Sequence, residues 1–213
     1  RGFLNAKIYN SDTSFLHKDR ASIFNLAIKF GNLECIKVLV ENGLDPNINY
    51  DTKGSSLLFA AASTGRADIV KYLAGIDGVD KNAVNQENTT ALHLLAAAGN
   101  LEGVKALIEA GADPNIKDIR GHSALATIIE YMEINTDIAK YLAGIEHVDK
   151  NSVNWSNSPV LILLATAGDL DGVKVLIKAG ADPNVQDNKG RTALDAAIES
   201  NHIDIIKYLE EIC

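Results

Sequence analysis

Apolar residues recur along this chain in two alternating patterns. The first is a compact run closed by glycine, as in LLFAAASTG, ALHLLAAAG and LILLATAG. An apolar anchor (Phe24, Leu58, Leu92, Leu161, Leu194) stands seven residues before Gly31, Gly65, Gly99, Gly168 and, in the last case, Asn201. Small and apolar text of this length predicts a short helix packed on both sides. The second pattern follows the glycine with apolar residues at helical spacing, in IKVLVENG, IVKYLAG, VKALIEAG and VKVLIKAG. Gly43, Gly111 and Gly180 close this second helix, where a left-handed residue is wanted after the last turn. DPNIN, DPNIKD and DPNVQD then lead the chain into a loop or hairpin. Each unit therefore reads as helix, turn, helix and extended loop.

The pattern is also written twice at longer range. KYLAGIDGVDKNAVN at Lys71 returns as KYLAGIEHVDKNSVN at Lys140, and LEGVKALIEAGADPNIKD at Leu101 returns as LDGVKVLIKAGADPNVQD at Leu170. The offset is about 69 residues, close to twice a period of about 33. Stacked units of that size bury their core between neighbours, and the surface they create is extended. That organisation points to binding rather than catalysis.

Thr90-Ala91-Leu92-His93 followed by LLAAAG, and then GADPN, closely resembles the ankyrin repeat motif. The resemblance covers residues 17–213 in about six units, near 17–50, 51–84, 85–117, 118–153, 154–186 and 187–213. Residues 1–16 match no complete unit, and Phe3, Leu4, Ile8 and Tyr9 there suggest a capping helix or a partial repeat. The resemblance implies an all-α repeat solenoid, each unit a helix-turn-helix plus β-hairpin or loop, stacked into a curved array. It further implies that Thr90 and His93 tie a turn to its helix and to the neighbouring hairpin, and that Asp51, Asp118 and Asp187 hold hairpins. The sequence departs from the family at several points. Ala91, Ala124 and Ala193 replace the proline of the motif, and Asn25, Phe59, Ala126, Ile162 and Asp195 replace its histidine. The fourth unit has no glycine between its helices, and its IIEYMEINTD is about two residues longer than the counterpart in the second.

Composition narrows the function. A net charge of −8 and a pI of about 5.1 disfavour general attraction to nucleic acid or anionic membrane. Cys35 and Cys213 lie too far apart in sequence for a disulfide framework or zinc cluster, which suits a reducing cytosol. No apolar run approaches the roughly 20 residues of a bilayer span, and no signal peptide opens the sequence. The chain starts Arg-Gly-Phe without an initiator Met, which suggests a fragment of a larger protein. Abundant Asn, Ile and Lys suit AT-rich coding DNA, and the array looks like those of host-associated intracellular bacteria, whose proteins are delivered into host cells.

Candidate chemistry is sparse. The five histidines are scattered along the array with no i, i+4 pair, so no metal site is expected. Neither a phosphate loop, nor a nucleophile elbow, nor a Cys/His pair is present, and Asp45, Asp113 and Asp182 recur with the repeat as fold-serving residues do. The expectation is a non-enzymatic module without cofactors. Its partner would be another protein bound through the concave face, with the chain a monomer and neither nucleic acid nor membrane involved. The alternatives are a targeting or substrate-recruiting domain of a larger enzyme or secreted effector, and a self-associating structural element.

Carrying over the family's contact positions gives a candidate set of Trp155, Arg120, His122, Tyr131, Lys53, Glu87, Lys189 and Arg191, joined by Tyr50 because its unit carries extra residues there. Ser55, Gln86, Ile119 and Ser156 share the tips; Lys29, Phe30, Ser63, Thr64, Ala97, Ala98, Glu130, Thr166, Glu199 and Ser200 share the inner helices. Trp155, the only tryptophan, stands where the duplicate copy has Gln86, so the scaffold does not require an indole there. It reads either as a binding anchor or as a ring folded over a neighbouring tip. Lys18, Lys53, Arg120, Lys189 and Arg191 on the tips, against Glu34, Glu41, Glu102, Glu109, Asp169 and Asp171 behind them, suggest a partner with an acidic patch.

Overall fold

A computed structural model describes residues 23, 24, 26–49, 54–128, 135–154 and 156–212. The expected capping segment at 1–16 lies outside them. Residues 26–29 are helical and lead into the helix Leu33–Glu41, forming a first pair. Four further pairs are Leu57–Ser63 with Ala67–Ala74, Ala91–Ala97 with Leu101–Glu109, Ala124–Thr127 with Thr136–Ala143, and Val160–Ala167 with Leu170–Lys178. Ala193–Glu199 with Ile203–Glu210 is the sixth. Most of IIEYMEINTD lies outside the described residues, so only the start of the fourth pair's first helix is in view.

Capping explains where the second helices begin. Asn32, Asn100, Asn135 and Asp169 each accept the backbone N–H three residues on, at 3.0, 2.9, 3.2 and 2.9 Å. The same position also reaches back to the previous pair. Arg66 donates from Nη2 to the Gly31 carbonyl at 2.9 Å, and Asn100 from Nδ2 to the Gly65 carbonyl at 2.9 Å. Asn135 donates to the Gly99 carbonyl at 3.4 Å. At Asn100 and Asn135 one side chain thus starts a helix and fastens it to its neighbour, whereas Arg66 only fastens. The turn between helices needs positive φ, and Asn201 (φ 58°) takes the place of glycine at the last pair, asparagine being the residue that tolerates this best after glycine.

Packing within a pair follows a size exchange. Leu95 faces Gly103 and Leu164 faces Gly172; a Cβ on either glycine would meet a leucine methyl, at 2.7 and 3.0 Å. In the second and sixth pairs the sizes are reversed, with Ala61 and Ala197 on the first helix and Ile69 and Ile205 on the second, all buried. The bulky side chain thus comes from the first helix in the third and fifth pairs and from the second helix in the second and sixth, while the fourth pair buries isoleucine at both places, Ile128 and Ile138. Alternation continues on the back of the stack, where Lys105 lies 5.6 Å from the centre of the Tyr141 ring and Lys174 lies 5.6 Å from that of Tyr208.

The connection between pairs carries single antiparallel bridges, Asn49 to Ser56, Val84 to Thr90 and Val153 to Pro159, so the expected hairpin is a bridged turn among the described residues. At the base of these connections runs a ladder of side-chain amides and carboxylates. Asn47 accepts the Asp80 N–H at 3.1 Å, Asn82 that of Asp113 at 2.8 Å, Asn115 that of Asp149 at 2.8 Å, and Asn151 that of Asp182 at 3.1 Å. Asn47 and Asn115 also donate to the Gly78 and His147 carbonyls, at 2.9 and 2.7 Å. Each aspartate in turn clips its own loop, accepting from the N–H two residues on (Asn47, Asn82, Asn115, Asn151, Asn184). The periodic carboxylates Asp45, Asp113 and Asp182 therefore serve the scaffold, joined by Asp80 and Asp149.

Candidate protein-binding surface

Four turn tips share one construction. Asn85, Asp118, Asn154 and Asp187 each open a tip and accept two backbone N–H groups on one side-chain oxygen. Asn85 takes those of Glu87 and Thr89 at 2.9 Å each, and Asp118 those of Arg120 and His122 at 2.9 Å each. Asn154 takes those of Ser156 and Ser158 at 3.0 Å each, and Asp187 those of Lys189 and Arg191 at 2.8 and 3.0 Å. The fourth residue has positive φ and is therefore Asn88, Gly121, Asn157 or Gly190. With the first, fourth and fifth places committed to the turn, the second and third are free to vary. In the third and fourth tips those places hold Gln86 and Glu87, then Ile119 and Arg120.

These two tips are joined: the Ile119 N–H donates to the Glu87 carbonyl at 3.0 Å, and the Asn88 amide donates to the Lys117 carbonyl. Ile119 is 68% exposed there, beside the exposed Arg120 and Glu87. Behind the tips, the outer side of the first helices presents Phe30 (76% exposed) in the first pair and Ile198 (53%) in the sixth. Between the second and third pairs, Ala62, Ser63, Leu94, Ala97 and Ala98 line an open groove of about 340 Å³. Hydroxyls on this side bond to their own helices: Ser63 to the Ala60 carbonyl at 2.8 Å, Thr64 to Ala61 at 2.9 Å, and Thr166 to Ile162 at 2.8 Å. The surface consequently offers carbon more than donors.

The candidate residues fall into different environments. Arg120, Glu87 and Lys189 are exposed at tips. His122 is corrected: its side chain is 1% exposed, with Nδ1 3.5 Å from the Asp118 carboxylate, so it is not available at the surface. Ser55, at the equivalent fifth place of its tip, is also buried. The chain has turned back toward the helix by that residue, and the side chain enters the stack. Arg191 shares the fifth place and is long enough to come out again. Its guanidinium is held by Asp187, at 2.9 Å from Nε and 2.8 Å from Nη2, and by Glu199 at 2.6 Å from Nη1. These partners raise the arginine pKa, and the Arg191 hydrogen bonds help to hold the Asp187 carboxyl below its ordinary range. The basic tip charge that Arg191 was expected to supply is thereby neutralised within the sixth unit. Trp155, Tyr131, Tyr50 and Lys53 lie outside the described residues.

His93 behaves as the resemblance implied. Its Nδ1 accepts from the Thr90 N–H at 3.2 Å and lies 2.8 Å from the Thr90 hydroxyl, while Nε2 lies 2.9 Å from the His122 carbonyl of the next turn. Burial pushes this imidazole below its ordinary range. Thr192 and Asp195 repeat the capping half of the arrangement, at 2.8 Å from the carboxylate to both the N–H and the hydroxyl. Among the described residues no three His, Cys, Asp or Glu side chains come together as metal ligands, and no helix is long and apolar enough to cross a membrane.

Sequence reading did not place Leu94 in the contact set. The place holds leucine in the first, third and fifth units (Leu26, Leu94, Leu163) and Ala60, Thr127 and Ala196 in the others, so the residue alone did not single out Leu94.

Paired short helices, glycine turns and a polar ladder between loops define a stacked-repeat protein. The family model described as ankyrin repeats (3 copies) matches residues 4–85, 24–118 and 125–212, and the chain belongs to that family. It is 32% identical over 218 residues to a putative palmitoyltransferase ZDHHC13 of Danio rerio, covering 85% of this chain and 33% of that protein. It is 28% identical over 222 residues to a putative ankyrin repeat protein of Rickettsia felis, covering 89% of this chain and 56% of the relative. The chain thus spans about a third to about half the length of these relatives. Among solved structures, it resembles a chain of the complex between the Bd0816 predatory endopeptidase of Bdellovibrio bacteriovorus and the immunity protein Bd3460. That likeness has a TM-score of 0.68 and 28% identity, over 90% of this chain and 98% of the other.

Proposed function

We propose that this chain is a non-enzymatic module that binds a partner protein along the concave side formed by its tips and first helices. One observation carries the reading: bulky or charged residues stand at the variable tip places and on the outer helix side, where the turn and the core do not need them. Ile119, Arg120 and Glu87 are the described examples, with Lys189 at the sixth tip and Phe30 at the far end. Trp155, Tyr131, Tyr50 and Lys53 complete the proposed contact set by sequence position. A preformed surface of this kind loses little ordering entropy on binding, and one or two anchors supply most of the affinity. The relevant compartment is a cytoplasm, either that of the source cell or, in view of the Rickettsia felis relative, that of a host. Affinity capture with the full chain tests the proposal. A partner retained by the wild type and lost on joint substitution of Trp155 and Arg120 by alanine supports it; retention unchanged by the double substitution overturns it.

A second reading is supported by the chain's covering 33% of the ZDHHC13 relative. The module then recruits a substrate or a location for a catalytic domain elsewhere in a longer polypeptide. The full-length coding sequence distinguishes the two.

A further inference from the structure

We infer that the seam between the third and fourth helix pairs is an acid-sensitive joint, loosened when the buried imidazole of His93 takes up a proton. The bonding pattern requires a neutral ring. The Thr90 N–H points at Nδ1, which must present a lone pair to accept it, and Nε2 must carry the hydrogen to donate to the His122 carbonyl. Protonation places an N–H against the Thr90 N–H. The Thr90 hydroxyl can rotate to accept the new hydrogen at 2.8 Å, but the backbone N–H then loses its acceptor and a charge sits in a site that is 2% exposed. Thr90 caps the third pair, and the His122 carbonyl belongs to the fourth turn. One proton therefore disturbs both a helix start and a contact between units.

The surroundings do not compensate. Two titratable groups act on the ring: the Asp118 carboxylate favours its charge, and His122 opposes it. Asp118 is already engaged with the Arg120 and His122 N–H groups and lies beside the His122 ring. The packed helices Leu57–Ser63 and Ala124–Thr127 bring no ionisable side chain, and the charged residues of Leu101–Glu109 are exposed. Burial dominates, and the native imidazole binds a proton less readily than an opened one. Below the ordinary histidine pKa of about 6.5, the opened form therefore binds more protons, and seam stability falls as the pH falls.

Other described seams lack the device. Phe59, Ala126 and Ile162 occupy the position of His93 and cannot titrate, and Asp195 is an exposed carboxylate within the last pair. His202 approaches the Thr166 carbonyl with Nε2 at 3.0 Å, a bond that a protonated ring retains.

Hydrogen exchange of the full chain at pH 7.5 and 5.5, corrected for intrinsic rates, tests the inference. Amides of 90–93 and 118–122 should lose protection on acidification, up to ~10-fold if the opened imidazole has an ordinary pKa, while amides of 160–200 change less. His93→Gln keeps an acceptor and a donor but takes no proton, so its seam should show no acid response. A seam that stays protected in the wild type, or an undiminished response in His93→Gln, overturns the inference. So does loss of the response in His122→Asn alone. Should His93→Gln not fold, imidazole titration by NMR in the wild type decides: His93 protonating together with the loss of seam protection supports it, and His93 protonating under full protection overturns it.

Discussion

Two edges of this array are built from the same kind of residue and behave in opposite ways. Along the ladder edge, Asn47, Asn82, Asn115 and Asn151 direct their side-chain oxygens to the backbone of the following unit. Along the tip edge, Asn85, Asp118, Asn154 and Asp187 direct theirs to their own turn. The first arrangement couples neighbours, so its residues repeat. The second closes each turn on itself, which frees two places per tip to differ from unit to unit even where backbone bonds join neighbouring tips, as at Ile119 and Glu87. A scaffold edge and a variable edge thus arise from where an Asx oxygen points.

Substitutions that exchange these properties test the distinction. Asn115→Ala removes a donor and an acceptor that span two units, and should lower the unfolding free energy by about 1–2 kcal/mol in urea titration. Asn85→Ala loses only bonds inside one tip. It should cost about 1 kcal/mol or less, with faster hydrogen exchange confined to that turn and its neighbour at Ile119. Equal losses at the two sites would erase the contrast between edges. Acid titration should show a smaller, local effect at the last tip. The Asp187 carboxyl is held below its ordinary range, so its contribution is present above pH about 4 and is lost as the pH falls through the depressed value. Asp187→Asn should flatten that acid limb of the unfolding curve, and an unchanged limb would remove Asp187 from the account. Least affected should be Ile119→Ser, within about 0.5 kcal/mol of wild type in stability, while retention of a captured partner drops.

Much of the scaffold could be read directly from the residues. Glycine punctuation located the turns because positive φ excludes most other residues, and His93 was assignable because Thr90 stands at the right spacing. Asp80 and Asp149 were not recognised as ladder members, although DKN repeats the spacing of DPN, because the loop text before them differs. The exchange of Leu95 with Gly103 was also hidden, since it depends on which side chains face across a pair. The candidate surface was only partly legible. Spacing put Ser55, His122 and Arg191 on tips, but the fifth place turns inward, and position along a loop does not reveal that. For Arg191 the decisive facts were Asp187 and Glu199, one of them eight residues away.

The register of lysine facing tyrosine across the back bears on how such an array can change length. Removing the fourth unit alone would bring Lys105 against Val175, the residue that stands in the fifth unit where the fourth has Tyr141, and would join loops of unlike length. Excising or copying two consecutive units keeps lysine facing tyrosine across the back. The near-identity of the segments at Lys71 and Lys140 fits one such two-unit step left in the chain.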